Sequence, residues 1–320
     1  MRSKNDSVRD RLLSRPVRDI KMKKGMRVSE LISAMGDVGG FTAQHMVDGI
    51  DIMKRMREDK ESFDFLSFPA DIVSTGLRGA LAGAVKYFDA IITTCGTLDH
   101  DIARAEGGKY TVGTFNVDDT MLHQHHIYRL GNIFMEDEEY GMPIERKFKE
   151  VMDELYSTKG HKTEYTPSEI AFEFGKRIKD EGSILRQAYL HNVKVYIPGI
   201  VDGAFGTQLT LFSQDHDFKL NLLKDEIELS NISFDNKRTG ALMIGGGISK
   251  HHVIWWNQFK GGLDYAVYIT TASQFDGSLS GARLTEAVSW GKVKEGARYT
   301  TIDGDATALL PIMFAAIDMV

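Results

Sequence analysis

The 320-residue chain is long enough for one or two domains, and its 42% hydrophobic and 26% charged residues read as an ordinary soluble globular protein. A formal net charge of −6 gives no electrostatic case for a nucleic-acid partner and mildly favours cationic small molecules or a basic protein. The single cysteine, Cys95, excludes an intrachain disulfide and any multi-cysteine metal site, and it fits a reducing cytoplasm.

The N-terminus, Met1-Arg-Ser-Lys-Asn-Asp, is charged and lacks an apolar signal core. No stretch approaches the roughly 20 apolar residues of a bilayer span; residues 308–317 are too few and contain Pro311, so no membrane partner is expected and the protein reads as cytoplasmic. Arg2 to Arg27 is rich in Lys and Arg, which predicts an arm that is mobile or lies on the surface. Ser29 then opens a short helix and Thr42 a longer one, whose Met46, Ile50 and Met53 share a face turned to the core or to another subunit.

From Phe63 short apolar runs alternate with helical patterns. The expected strands are Phe63 to Phe68, Ala90 to Thr94, Val193 to Pro198, Ala241 to Gly245, Tyr265 to Thr271 and Tyr299 to Ile302. Helices are expected over Ile72 to Phe88, Ser168 to Lys179, Asn221 to Leu229 and His251 to Lys260. Such alternation implies a doubly wound, mainly parallel α/β sheet over residues 61–320, preceded by an arm and helices over residues 1–60. The charged span from Tyr110 to Glu164 shows no clear period.

Ligands of such sheets gather at the carboxyl ends of the strands, and that is where glycines recur: Gly96, Gly203 and Gly206, Gly245 to Gly247, Gly277 and Gly281. Glycine at a strand-to-helix turn lets backbone N–H groups approach phosphate, so four such turns in succession point to a nucleotide pocket. Neither a Walker A motif nor a complete G-x-G-x-x-G fingerprint is present, which argues against an ATPase or a standard dehydrogenase.

The densest chemistry lies in Glu286-Ala-Val-Ser-Trp290-Gly-Lys292, after the run Asp276-Gly-Ser-Leu-Ser-Gly281-Ala-Arg283. Thr285 is placed to cap a short helix with Glu286 and Trp290 on one face, and Gly291 to end it. A lysine beside an indole and a carboxylate has the makings of a nucleophile, because partial burial favours the neutral amine; the plainer alternative is a lysine that complements a helix dipole.

These segments, with Ser74-Thr-Gly-Leu-Arg78, Thr93-Thr-Cys-Gly96, Asp202-Gly-Ala-Phe-Gly206, Gly245-Gly-Gly-Ile-Ser-Lys-His-His252 and Asp303-Gly-Asp-Ala306, resemble the deoxyhypusine synthase family in content and order, from about Phe63 to the C-terminus. The resemblance implies a Rossmann-like, NAD-binding catalytic domain over residues 61–320. It implies transfer of the 4-aminobutyl group of spermidine to a lysine of the translation initiation factor 5A precursor, in a homotetramer with active sites at dimer interfaces. By the same resemblance Lys292 carries the group as an imine, His251 is the base with His252 as the competing choice, and Glu286, Trp290, Asp99, Gly277 and Ser278 meet the polyamine. Ser74, Thr94, Cys95, Gly96, Asp202, Gly246, Thr271, Ala272, Asp305 and Ala306 fall at positions around NAD, and the family uses no metal.

The chain departs from the better-known eukaryotic pattern. Asp99-His100 replaces a pair of glutamates, Thr207 and Leu279 stand where acids bind amine ends, and Asp71 replaces an asparagine; the form looks archaeal. The missing acids favour, as the alternative, a homospermidine synthase-like enzyme acting on a small amine. A third reading, an NAD-binding protein without transferase activity, sits poorly with intact Lys292, Glu286, Trp290 and His251. His123-Gln-His-His126 reads as surface rather than metal ligands, Cys95 as a small residue in a tight turn, and Glu136-Asp-Glu-Glu139 as a solvated loop.

Overall fold

The computed structural model describes residues 4–319. Six strands form its central sheet: β1 (Ser62–Ser67), β2 (Ala90–Ile92), β3 (Lys194–Tyr196), β4 (Arg238–Ile244), β5 (Leu263–Thr270) and β6 (Val293–Asp303). They lie in the order β3-β2-β1-β4-β5-β6 with every neighbouring pair parallel. The chain therefore winds outward from β1 to one edge, returns, and winds outward to the other, reversing direction between β1 and β4. All six expected strands are present.

Alternate residues of these strands feed two cores. Leu66, Ile91, Leu242, Val267 and Ile302 enter one, while Phe65, Ile92, Met243 and Tyr268 enter the other. Each such side chain contributes on the order of 2 kcal/mol by leaving water. The helices that matter most are α1 (Phe41–Glu58), α2 (Cys95–Ala105), α3 (Ala204–Asp215), α4 (Gly247–Gln258), α5 (Leu284–Ser289) and α6 (Ala306–Ala316). The first, second, third and last of these bury side chains in the first core, α4 and α5 in the second.

The methionine stripe of α1 is buried, with Met46, Ile50 and Met53 at 3%, 2% and 1% exposure. Gly49 lets this helix settle on the sheet: a Cβ there would stand 2.8 Å from Ile302 Cδ1. The basic arm is exposed almost throughout residues 8–27, and Arg15 and Arg18 bond to Gly36 and Asp37 of the helix Val28–Val38. Residues 1–3 of the arm lie outside the described residues. Among the described residues no helix is long and apolar enough to cross a membrane.

Two local expectations change. The helix expected over Ile72 to Phe88 is broken into a 3-10 turn, Asp71–Ser74, and a helix, Leu77–Ala84. Thr75 causes the break: its hydroxyl donates to Ile72 O and accepts from Leu77 N, an alternative to the helical ladder. The unassigned span after Tyr110 holds a three-stranded antiparallel sheet, Tyr110–Val112, Ile127–Leu130 and Ile133–Glu136, whose hairpin turns at Gly131 with a φ of 60°.

Candidate active site

The reversal between β1 and β4 opens a crevice at the carboxyl ends of the strands. Its cavity of about 370 Å³ is lined by Pro69 and Asp71 after β1, Gly245 to Gly247 after β4, Thr270 to Ala272 at the end of β5, Ser280, and Gly304 to Ala306 after β6. Gly246, Thr271, Ala272, Asp305 and Ala306, all expected around a dinucleotide, thus share one cavity. Gly245 and Gly247 adopt φ of 63° and 73°, and the 12-residue α4 begins there, so its unpaired N–H groups and positive dipole end lie at the crevice. Gly246 makes a close approach that only glycine permits, since a Cβ would stand 2.1 Å from Ser280 Oγ. A glycine-lined helix start and an exposed Asp305 at the rim form a donor and acceptor set that fits pyrophosphate and ribose.

The other expected cofactor positions flank this cavity along the same sheet edge. Ser74 is buried, its hydroxyl donating to Asp71 O at 2.6 Å. Thr94 stands at the position before α2, Cys95 is buried behind it, and Gly96 lies against the loop after β1, where a Cβ would stand 2.8 Å from Ala70 Cβ. Burial, with nearby Asp99 adding, pushes the Cys95 thiol up to about 12, an inert group. Asp202 is exposed in the turn after β3. Asp99 is 1% exposed and accepts from Ala204 N at 3.1 Å, Phe205 N at 2.7 Å and Tyr140 Oη at 3.0 Å. The structure commits this carboxylate to the start of α3.

A second cluster surrounds Lys292. The helix α5 ends in a left-handed Gly291 (φ 66°), with Gly291 N bonded to Val288 O and Lys292 N to Ala287 O, both at 2.9 Å. This paired closure fixes the backbone of Lys292 immediately after the helix. Its side chain is buried, with Nζ 5.2 Å from the Trp290 ring and 5.7 Å from the Trp255 ring. Thr285 is not the cap: Arg283 holds that position, and Thr301 on β6 accepts the Leu284 N–H at 3.2 Å. Glu286, Gly277 and Ser278 are exposed, the last bonded through its N–H to Asp276 at 2.7 Å.

The two adjacent histidines have different surroundings. His252 faces Glu226 at 2.9 Å, whereas the His251 ring lies 5.6 Å from that of Trp255. Burial, then the Lys292 charge, then His252 lower the His251 pKa, which favours the neutral imidazole a base requires. Sequence reasoning missed Lys250, which is 1% exposed beneath the glycine-rich loop. Its spacing from Val253, Ile254 and Asn257 places it on the buried stripe of α4, and a lysine in an apolar helical stripe was the available signal.

Lys292 and the crevice occupy different places in one chain. The Lys292 carbonyl accepts from Leu263 N at the start of β5, while the crevice lies at that strand's far end. Thr207, one of the departures, lies in a separate cavity of about 730 Å³ with His125, His126, Glu136, Asp137, Glu138 and Glu145. His126 Nδ1 is 3.1 Å from Asp137 there.

The family model "Deoxyhypusine synthase" matches residues 30–317. A protein of Picrophilus torridus named "Probable deoxyhypusine synthase" is 54% identical over 310 residues, covering 96% of this chain and 98% of that protein. One of the same name from Ignicoccus hospitalis is 50% identical over 316 residues and 97% of each chain. In fold, the chain is similar to a solved structure from Entamoeba histolytica titled as a deoxyhypusine synthase candidate, with a TM-score of 0.65 at 18% identity over 94% of this chain and 96% of that one. The switch-point crevice and the Lys292 cluster are therefore parts of an enzyme, and this chain belongs to the deoxyhypusine synthase family of spermidine-dependent aminobutyl transferases.

Proposed function

We propose that this enzyme uses NAD in the switch-point crevice to move the 4-aminobutyl group of spermidine, through an imine on Lys292, to one lysine of the translation initiation factor 5A precursor. The product is deoxyhypusine, the first step of hypusine biosynthesis. The observation that carries the reading is Lys292, a buried primary amine beside two indole rings with His251 close enough to feel its charge.

NAD bound in the crevice would supply the hydride acceptor for oxidation of the carbon beside the secondary amine of spermidine, and the hydride for the final reduction. The chain's own groups do the rest. The start of α4 would receive the pyrophosphate, and Asp305 in the crevice and Asp202 beside it would hold ribose hydroxyls. His251 takes the proton released as the amine carbon is oxidised. The Lys292 nitrogen adds to the resulting carbon–nitrogen double bond and expels 1,3-diaminopropane, so the butyl group remains on the enzyme. The acceptor lysine then displaces the Lys292 nitrogen in the same way. Glu286 offers a carboxylate to an ammonium end, and the Trp290 face packs on methylenes.

An imine on Lys292 must be shielded from water, yet Trp290 and Phe275 are 64% and 89% exposed in a single chain. We infer that other copies cover these aromatics and that one of them brings its crevice to the lysine, in the homotetramer with sites at subunit boundaries that the family resemblance implies. The acids beside Thr207 offer the negative charge that this position lacks. Thr207 and Leu279 are also the observation that favours a second reading, transfer to a small amine.

A labelled-spermidine assay with NAD separates the two. Run with the factor, it should give a mass gain on one lysine and release 1,3-diaminopropane. Homospermidine formed from putrescine, with the factor unmodified, would move the assignment to a small-molecule transferase.

A further inference from the structure

A second lysine has no part in that chemistry. Lys250 is buried in the first turn of α4, and its Nζ donates to Leu279 O at 3.0 Å and Ala282 O at 2.7 Å while lying 3.7 Å from the Tyr268 ring centroid. Between these two carbonyls, Ser280 O accepts from Tyr268 Oη at 2.6 Å and Thr270 Oγ1 at 3.0 Å. Three donors from α4 and β5 thus hold the 279–282 turn.

That turn touches both of the chain's contributions to the proposed sites, its own crevice and the Lys292 cluster that meets the crevice of another copy. Ser280 lines the crevice and packs on Gly246. Ala282 leads through Arg283 into α5, which carries Glu286 and ends at Trp290 and Lys292. An ammonium buried in such a place is costly to keep, and an apolar side chain would fill the space without that cost. Burial pulls the Lys250 pKa down to about 7; Glu286 opposes the shift, while Arg283 and Lys292 add to it. The group is therefore electrostatically joined to the cluster as well as bonded to the turn.

We propose that Lys250 is a positioning residue that ties the dinucleotide crevice to the Lys292 cluster through the 279–282 turn. The inference rests on the proposed use of NAD and Lys292, and its test reads the tether separately from the chemistry. Wild type, Lys250→Met, Lys250→Arg and Tyr268→Phe are compared by amide hydrogen exchange of residues 278–284 without cofactor, by the Kd for NAD, and by borohydride trapping of the Lys292 imine at saturating NAD. Lys250→Met should speed exchange about tenfold, weaken NAD about tenfold and slow imine formation about a hundredfold, as loss of charge-assisted bonds within one coupled unit requires. Lys250→Arg should recover part of all three, and Tyr268→Phe should move them the same way by less.

A Lys250→Met protein with wild-type exchange, affinity and imine rate overturns the proposal. So does a variant that loses only affinity or only rate, because a tie between the crevice and the cluster moves both. If Lys250→Met fails to fold, Tyr268→Phe decides by the same criteria. Wild-type protein that binds NAD yet forms no imine refutes the proposed function instead, and the exchange and affinity measurements still judge the tether.

Discussion

His252 Nε2 stands 2.9 Å from Glu226 Oε2, and Trp256 Nε1 donates to the same oxygen at 2.9 Å. This arrangement fastens α4 to the helix Leu222–Asp235 and leaves the neighbouring His251 to face the Lys292 cluster. We expect His251→Ala to slow imine formation by about a hundredfold or more, the usual loss of a general base. His252→Ala should leave the rate of folded enzyme within about threefold while lowering Tm by a few degrees. Single-turnover rates and melting curves check this; a large rate loss in His252→Ala with unchanged Tm would reverse the assignment.

Lys292→Ala should abolish the trapped imine and cut transfer by at least about a thousandfold, since it removes the proposed covalent nucleophile. NAD affinity should stay within about threefold, because the crevice is lined by other residues. Mass spectrometry of the trapped protein and a dinucleotide titration measure the two, and full transfer by the variant would sink the mechanism.

Asp99 satisfies two backbone N–H groups at the start of α3 and the Tyr140 hydroxyl. Asp99→Ala should therefore cost about 2–3 kcal/mol of stability by orphaning buried donors. Denaturant unfolding measures that cost. A variant of undiminished stability whose KM for spermidine rises sharply would instead place Asp99 in amine binding.

Asp64 carries a pH dependence. Burial, with Asp89 and Asp59 nearby, raises its pKa from 3.8 to about 7 although Ser62 donates to it. A carboxyl whose folded pKa lies above its unfolded value contributes stability that is fully present below about 3.8 and lost as pH rises through about 7. Asp64→Asn should flatten the decline of unfolding free energy between pH 4 and pH 7, a difference of at most roughly 4 kcal/mol. Denaturant curves across that range test it; parallel pH profiles for the two proteins would show that Asp64 is not the group responsible.

The sheet was legible because its strands are buried on both sides and read as continuous β-branched and aliphatic runs, Ala90 to Ile92 and Ala241 to Ile244 among them. Of the glycines expected to form the pocket, Gly245 to Gly247 line the crevice, whereas Gly96, Gly203, Gly206, Gly277 and Gly281 are not among its lining residues. Gly131-Asn132 between Leu130 and Ile133 was a two-residue hairpin signal for the small antiparallel sheet, masked by the surrounding charge. Thr285 was misread because the competing acceptor, Thr301, arrives from another strand, and no local pattern carries that information. The separation of Lys292 from the crevice was hidden for the same reason: it depends on Leu263 pairing with Val293, a tertiary register. The family resemblance named the chemical groups, but only the fold shows that Lys250 lies between them.

The seat of Gly49 against Ile302 has a practical consequence for shortening the polypeptide. Trimming the first 27 residues removes residues 8–27, which are almost wholly solvent-exposed, and the remainder should express as a cooperative unit. A cut at Ser62 would carry away Met46, Ile50 and Met53 and lay bare Val267 and Ile302, turning a buried layer into an aggregation surface. The tolerable start of the protein is thus set by a glycine on the inner side of its first long helix.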